Sequence, residues 1–146
     1  LNFKANMKLQ KAVLDALFLF NQSPDHRLYT LVEFNHYCLY PLIHQKARLF
    51  YKDNKPIGFV SWAWITSDEG QAFLDEKWVP DEQTYQRPDV IAKEYELWGI
   101  EFIAPYGDTI KVMRGMMKHS QSVLGQRVPA NWRRFNQPDI KHTKEF

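Results

Sequence analysis

Apolar residues recur every three or four positions in several segments of this chain, which is the spacing of an amphipathic helix. The predicted helices cover residues 7–20, 31–48, 68–74 and 110–119. Ser23 followed by Pro24 is typical of a helix start, where the serine hydroxyl caps the first turn and proline takes the first helical position. Pro41 lies within the second predicted helix and predicts a kink or a break there, because proline lacks a backbone N–H.

Apolar runs bounded by turn residues predict the strands. These strands cover residues 47–51, 56–65, 97–103, 124–128 and 132–135, the last as an edge strand. The first two, joined by a turn at 53–55, are predicted to form an antiparallel hairpin. On the third strand, simple alternation places Glu101 on the same face as Leu97 and opposite Trp98 and Phe102.

The remaining segments are polar. Residues 75–93 are mostly polar and contain two prolines, which predicts a long loop with one helical turn near 90–93. No element is predicted for residues 136–146. Mixed strands with helices on their faces favour an α+β fold: a single domain with a mixed β-sheet flanked by helices. We place this domain at residues 7–146 and expect residues 1–6, which precede Met7, to be an added leader.

A single cysteine, Cys38, excludes a disulfide within the chain and a zinc site with several cysteine ligands, and it favours a cytoplasmic location. Cys38 lies on an apolar stripe, so we interpret it as a core residue and not as a nucleophile. The five histidines lack the spacing of metal ligands, so no metal site is expected. No apolar run is long enough to span a bilayer.

The net charge of +2 hides an asymmetry along the chain. Residues 109–146 carry eight Lys or Arg against two Asp or Glu, whereas residues 1–108 carry eleven against fifteen. A basic C-terminal third suits an anionic partner, such as an acidic protein surface, a phosphate group or a nucleic acid. A solvated basic face without any partner is the alternative interpretation.

Two residues carry the candidate chemistry. Glu101 is a carboxylate within an apolar strand, where it needs a partner or a raised pKa, and this makes it a candidate site residue. An ordinary structural ion pair with Arg or Lys is the alternative. His26 is a lone imidazole that can serve as a general base near neutral pH, although such a histidine is more often structural.

Three stretches in this order resemble the RTX-toxin-activating lysine acyltransferases of Gram-negative bacteria. They are Ser23-Pro24-x-His26-Arg27, Ser61-Trp62-Ala63 and Trp98-x-x-Glu101-x-Ile103-Ala104-Pro105-Tyr106-Gly107-Asp108. The resemblance covers residues 9–146. It implies a cytoplasmic enzyme that takes a fatty acyl group from acyl-acyl carrier protein and transfers it to internal lysines of an RTX protoxin. It also implies a fold similar to the GCN5-related N-acetyltransferases.

The resemblance also implies roles for individual residues. His26 takes the place of the family's essential histidine and Ser23 that of the serine before it, while Glu101 stands where the family usually has aspartate. The predicted substrate-binding residues are Asn35, Ser61, Trp62, Arg114 and Arg127. No permanently bound cofactor is expected; the acyl donor is acyl-acyl carrier protein, and a homodimer is expected.

The chemistry of the reaction fits these residues. A lysine amine has a pKa of about 10.4 and is mostly protonated at neutral pH, so a base is needed as it attacks a thioester. His26 suits this role, and Glu101 can orient the imidazole and stabilise its charged form. Ser23 can donate to His26 or to the oxyanion, and an acyl-enzyme intermediate on His26 or Ser23 stays open.

Two other functions compete with this prediction. The first is an acyl-coenzyme A-dependent N-acyltransferase, but the glycine-rich pyrophosphate loop is absent and only Gly107 lies in the turn after the third strand. The second is a non-catalytic module that binds nucleic acid or an acidic protein through the basic third. No motif of a known nucleic-acid module is present, so no nucleic-acid partner is expected.

Overall fold

A five-stranded β-sheet lies at the centre of the molecule. The computed structural model describes residues 3–146, with side chains from Asn6 onward. The strands are β1 (Ala47–Lys52), β2 (Lys55–Ile65), β3 (Glu96–Ile103), β4 (Pro129–Arg134) and β5 (Gln137–Glu145). They lie side by side in chain order, and all neighbours are antiparallel except β3 and β4, which are parallel.

Helices cover both faces of this sheet. They are α1 (Phe3–Gln22), a 3-10 turn (His26–Leu28), α2 (Leu31–Phe34), a π-helical segment (Asn35–Leu39), α3 (Tyr40–Ile43), α4 (Ser67–Leu74), α5 (Glu82–Tyr85) and α6 (Thr109–Leu124). The predicted α+β class, with one mixed sheet flanked by helices, is confirmed. The architecture is consistent with the GCN5-related N-acetyltransferase fold.

The long strand β2 divides the core into two sides. Val60, Trp62 and Trp64 pack with α6, whereas Phe59 and Ala63 pack with the helices on the opposite face. Every residue of β2 after its first is buried, and burying one large apolar side chain contributes about 1.5–3 kcal/mol. Strand β3, which carries the predicted site residue Glu101, pairs directly with β2.

Strands β3 and β4 are paired over only a short length. Their register joins Leu97 with Ala130 and Trp98 with Asn131. Beyond these pairs the later residues of β3 have no strand partner on the β4 side, so the sheet opens there. An opening between two parallel strands leaves space that side chains or a ligand can fill.

A β-bulge at Ile100 reverses the alternation of β3. Ser61 pairs with Glu101 but Trp62 pairs with Gly99, so Ile100 is an extra residue opposite β2. Glu101 therefore projects toward the face that carries α1, and Phe102 packs on the α6 side. The predicted grouping of Glu101 with Leu97 was wrong, because a bulge inserts one residue and re-aims every side chain after it.

Several other predictions of element bounds were wrong. Residues 124–128 contain the end of α6 and a loop; the next strand starts at Pro129, and β5 follows where no element was predicted. The helical turn of the long loop is α5, not residues 90–93. The second predicted helix ends at Ile43, and a π-helical segment lies just before Pro41. Within residues 3–146, the helices are all too short or too polar to cross a membrane.

Candidate active site

His26 and Glu101 meet in space although 75 positions separate them in the chain. His26 Nε2 lies 2.8 Å from Glu101 Oε1, and the two side chains are only 7% and 10% exposed. The reversed alternation after the bulge brings Glu101 to this face. The 3-10 turn brings His26, because the backbone N–H groups of His26 and Arg27 both donate to the Ser23 carbonyl.

Three groups donate hydrogen bonds to the Glu101 carboxylate. Tyr29 donates its hydroxyl to Oε2 at 2.6 Å, and the Phe102 N–H donates to Oε1 at 3.3 Å. His26 Nε2 is the third donor, which fits an ionised carboxylate that has only acceptor capacity. Burial, followed by the charge of Glu101, raises the pKa of the Tyr29 hydroxyl, so that this group stays a donor.

Ser23 completes the chain of hydrogen bonds. Its Oγ lies 2.5 Å from His26 Nδ1. Since Nε2 carries its hydrogen toward Glu101, Nδ1 has the free lone pair and accepts from the serine hydroxyl. The prediction that Ser23 caps a helix was wrong: the next turn has no side-chain cap, and Thr30 caps α2 instead. The serine orients the imidazole.

Aromatic rings surround the imidazole. The ring centroids of Phe20, Tyr29 and Phe135 lie 5.6, 5.3 and 5.3 Å from that of His26. These rings exclude water from the histidine–carboxylate pair and strengthen its electrostatic interaction. Tyr29 and Phe135 were not predicted from the sequence. The one feature of the sequence that could have indicated either residue is the presence of a large ring, Phe135, within a polar C-terminal stretch.

An apolar cavity of about 380 Å³ extends from this pair into the opening between β3 and β4. We call it the apolar cavity; its apolar lining includes Val60, Trp62, Leu97, Met113, Met116 and Phe146. His26 and Glu101 also line it, as do Arg133 and Arg134 of β4. Its volume lies within the usual range for ligand pockets. The predicted binding residue Trp62 thus lies on its wall.

A second cavity of about 440 Å³ also reaches Glu101. We call it the polar cavity; the polar groups that line it include Asp25, Tyr29, Glu33, Tyr37, Glu76 and Arg133. Arg133 donates to the Phe73 carbonyl at 2.5 Å, and its guanidinium lies 3.7 Å from the centre of the Phe73 ring. Burial raises the pKa of Tyr37, while the nearby Arg133 acts in the opposite direction.

Ser61 is fully buried and has a structural partner. Its hydroxyl donates to the Tyr37 carbonyl at 3.1 Å, and the Tyr85 hydroxyl donates to the His36 carbonyl at 2.6 Å. Pro41 follows these carbonyls by four and five residues and has no N–H to offer to either of them. The helix therefore lacks one backbone donor here, and the two hydroxyls supply donors to the carbonyls that precede the proline. A part for Ser61 in substrate binding stays a prediction.

The other predicted binding residues lie apart from the pair. Asn35 begins the π-helical segment and lines neither cavity. Arg114 is exposed on α6, and Arg127 is exposed in the loop between α6 and β4. About 15 Å of helix, from the rise of an α-helix, and then a loop separate the two arginines. Their roles stay predictions.

The structure also bears on whether Cys38 is a nucleophile and on whether a metal ion could bind. Cys38 is fully buried in the cluster beneath α1, and burial raises the pKa of its thiol, which disfavours a reactive thiolate. This agrees with its interpretation as a core residue. In the part of the chain that the structure describes, no three His, Cys, Asp or Glu side chains are grouped as a metal ion would require.

Together, these features define a class of protein. A histidine–carboxylate pair beside an apolar cavity, within a fold consistent with the GCN5-related N-acetyltransferases, belongs to an acyltransferase. A family model described as the RTX toxin acyltransferase family matches residues 5–132, and the chain belongs to this family. A search of curated proteins found no match.

Proposed function

We propose that this acyltransferase transfers a fatty acyl group from acyl-acyl carrier protein to lysine side chains of an RTX protoxin in the cytoplasm. Family membership supports acyl transfer to RTX toxins. The carrier-linked donor and the lysine acceptor are our extension of it. The observation that carries the proposal is the His26–Glu101 pair at 2.8 Å, which lies next to a cavity suited to an acyl chain.

His26 acts as the general base in this proposal. In the free protein, the lone pair of Nδ1 is held by Ser23, and the incoming amine replaces the hydroxyl there. As the lysine Nζ–carbon bond forms and the thioester C–S bond breaks, Nδ1 takes the amine proton and later returns it to the departing thiolate. Glu101 stabilises the imidazolium through Nε2, as in a hydrolase triad.

Direct transfer is the simpler route for this geometry. Ser23 does not line the apolar cavity, whereas His26 and Glu101 do. A serine that turns away from the acyl chain suits a positioning role better than a nucleophilic one. Mass spectrometry of protein incubated with donor alone tests this: a stable acyl group on Ser23 or His26 would contradict direct transfer.

The acyl carrier protein is proposed to dock on α6. Lys111, Arg114 and Lys118 are exposed and spaced three and four residues apart, so they form a basic ridge on one side of the helix. Thr109 at the start of α6 borders both the groove beside this ridge and the apolar cavity. A carrier is acidic, and its thioester arm can reach the cavity from there.

An acylation assay tests the proposal. The protein is incubated with acyl-acyl carrier protein and RTX protoxin, and acyl-lysine is measured by mass spectrometry for the wild type and for His26→Ala. We expect acyl-lysine with the wild type alone. No transfer by folded wild-type protein would contradict the proposal. Equal transfer from acyl-coenzyme A would overturn the carrier-specific donor and favour the coenzyme A alternative.

A further inference from the structure

The two cavities share a wall that contains the candidate carboxylate. Ile100, Glu101, Arg133 and Phe135 line both of them. Glu101 can therefore be approached from two directions, and the two approaches differ in chemistry. A transfer enzyme must bring two substrates to the same atoms, and one of those approaches already suits the acyl chain. This leaves the polar cavity for the other substrate.

Carboxylates dominate the charge of the polar cavity. Asp25, Glu33 and Glu76 are exposed along it, in addition to Glu101. Within the residues whose side chains are described, none of these three is in an ion pair with Lys or Arg. The cation in the lining, Arg133, is turned to the Phe73 carbonyl and ring. Because the carboxylates outnumber this one arginine, the cleft attracts ligands of positive charge.

We propose that the polar cavity is the binding site for the acceptor lysine, a role that rests on the proposed transfer to lysine. The ammonium binds among Asp25, Glu33 and Glu76 and then moves inward past Glu101. Its surplus proton is released to solvent, and the neutral amine replaces the Ser23 hydroxyl at His26 Nδ1 as it meets the thioester carbon from the apolar cavity. Donor and acceptor thus approach from opposite sides of the shared wall.

This site explains how one small protein handles two partners of opposite charge. The basic ridge on α6 and Arg134 of β4 lie on the donor side, while the carboxylates beside the 3-10 turn, on α2 and just after α4 lie on the acceptor side. Because unlike charges attract and like charges repel, the carrier is kept from the acceptor site and the lysine from the donor site.

Neutralising the carboxylates tests the proposal. The variant combines Asp25→Asn, Glu33→Gln and Glu76→Gln. Glutamine preserves the capping of α2 by residue 33, because its carbonyl still accepts from the Thr30 N–H. The matched control combines Asp53→Asn, Glu94→Gln and Glu145→Gln, which remove the same charge at exposed positions outside both cavities.

Two rates separate this inference from the proposed function. One is acylation of the RTX protoxin that the wild type modifies; the other is hydrolysis of the acyl donor without acceptor. We expect the acceptor KM to rise about tenfold in the cavity variant, the size expected for three partly exposed charge contacts. This rise exceeds any change in donor hydrolysis, and it shrinks at high salt because ions screen the attraction.

Each outcome decides the question. An acceptor KM equal to that of the control variant would overturn the acceptor site and leave the proposed function standing. Absence of acyl-lysine with the wild type would instead overturn the proposed function. If the triple variant does not fold, as judged by thermal unfolding, Glu76→Gln alone is measured, because this exposed residue follows α4 and caps no helix.

Discussion

The apolar and polar cavities differ in position and in chemical character, although they share a wall and have similar volumes. The apolar cavity lies in the opening of the sheet and is enclosed by tryptophan, methionine and phenylalanine side chains. The polar cavity lies on the helical side and is bordered by exposed carboxylates and tyrosine hydroxyls. The difference teaches that the sheet supplies the space for one substrate, while short helical turns supply the charge for the other.

Removing the imidazole should have the largest effect, because it is the proposed general base of the reaction. We expect His26→Ala to lower the rate of acyl-lysine formation at least 100-fold, the usual scale of a positioned general base. Donor binding, measured by fluorescence with a labelled carrier, should stay nearly unchanged. A residual rate within tenfold of the wild type would contradict the role of His26.

Changing the shared carboxylate should have the next largest effect. Glu101→Gln keeps the size of the side chain but removes the charge that stabilises the imidazolium, so we expect kcat to fall about 10- to 100-fold. Glu101→Asp retains the charge on a shorter arm and should lose less. The order of the two variants is the test: a loss in Glu101→Asp as large as that in Glu101→Gln would contradict the dominant role of the charge.

Filling the apolar cavity should affect the donor only. Met113→Phe enlarges a residue on its wall, and we expect kcat/KM for long acyl donors to fall about tenfold relative to short ones. Met117→Phe, which alters α6 outside the cavity lining, is the matched control. Equal loss for long and short donors would mean that the acyl chain does not lie there.

Removing the Tyr29 hydroxyl should have the smallest effect. Tyr29→Phe deletes one of three hydrogen bonds to Glu101, and we expect kcat to fall about three- to tenfold, which corresponds to about 1 kcal/mol. Because the pKa of Tyr29 is raised above its usual range, the hydroxyl stays protonated through neutral and mildly alkaline pH. The ratio of wild-type to variant rates should therefore not change between about pH 6 and 9.

Sequence reasoning identified His26 and Glu101 but not the β-bulge that brings their side chains together. Motif resemblance named His26, Ser23 and Glu101, and helical periodicity located α1 and α6. The bulge at Ile100 was missed, because period-two reasoning assumes an unbroken ladder and nothing local marks an inserted residue. Strand β5 was missed because most of its residues are exposed, so it lacks the apolar alternation that predicts strands.

The roles of other residues were missed because they depend on contacts that helix and strand patterns do not indicate. Arg133 counted only as one positive charge in a basic third, and its stacking on Phe73 depends on packing between β4 and α4. Ser23 and Pro24 carried the signal of a helix cap, but the Ser23 hydroxyl bonds the His26 imidazole three residues later instead. A nearby side chain can thus compete with the backbone N–H groups for the oxygen that would cap a helix.

The hydroxyls that serve the carbonyls before Pro41 have a consequence for how this family can diverge. A relative with an N–H-bearing residue at position 41 supplies one further donor, and selection on one of the hydroxyls at positions 61 and 85 is then relaxed. Proline at 41 without those hydroxyls leaves the helix one donor short, at a cost of roughly 1–3 kcal/mol. Positions 41, 61 and 85 are therefore expected to covary, although they lie on three separate elements.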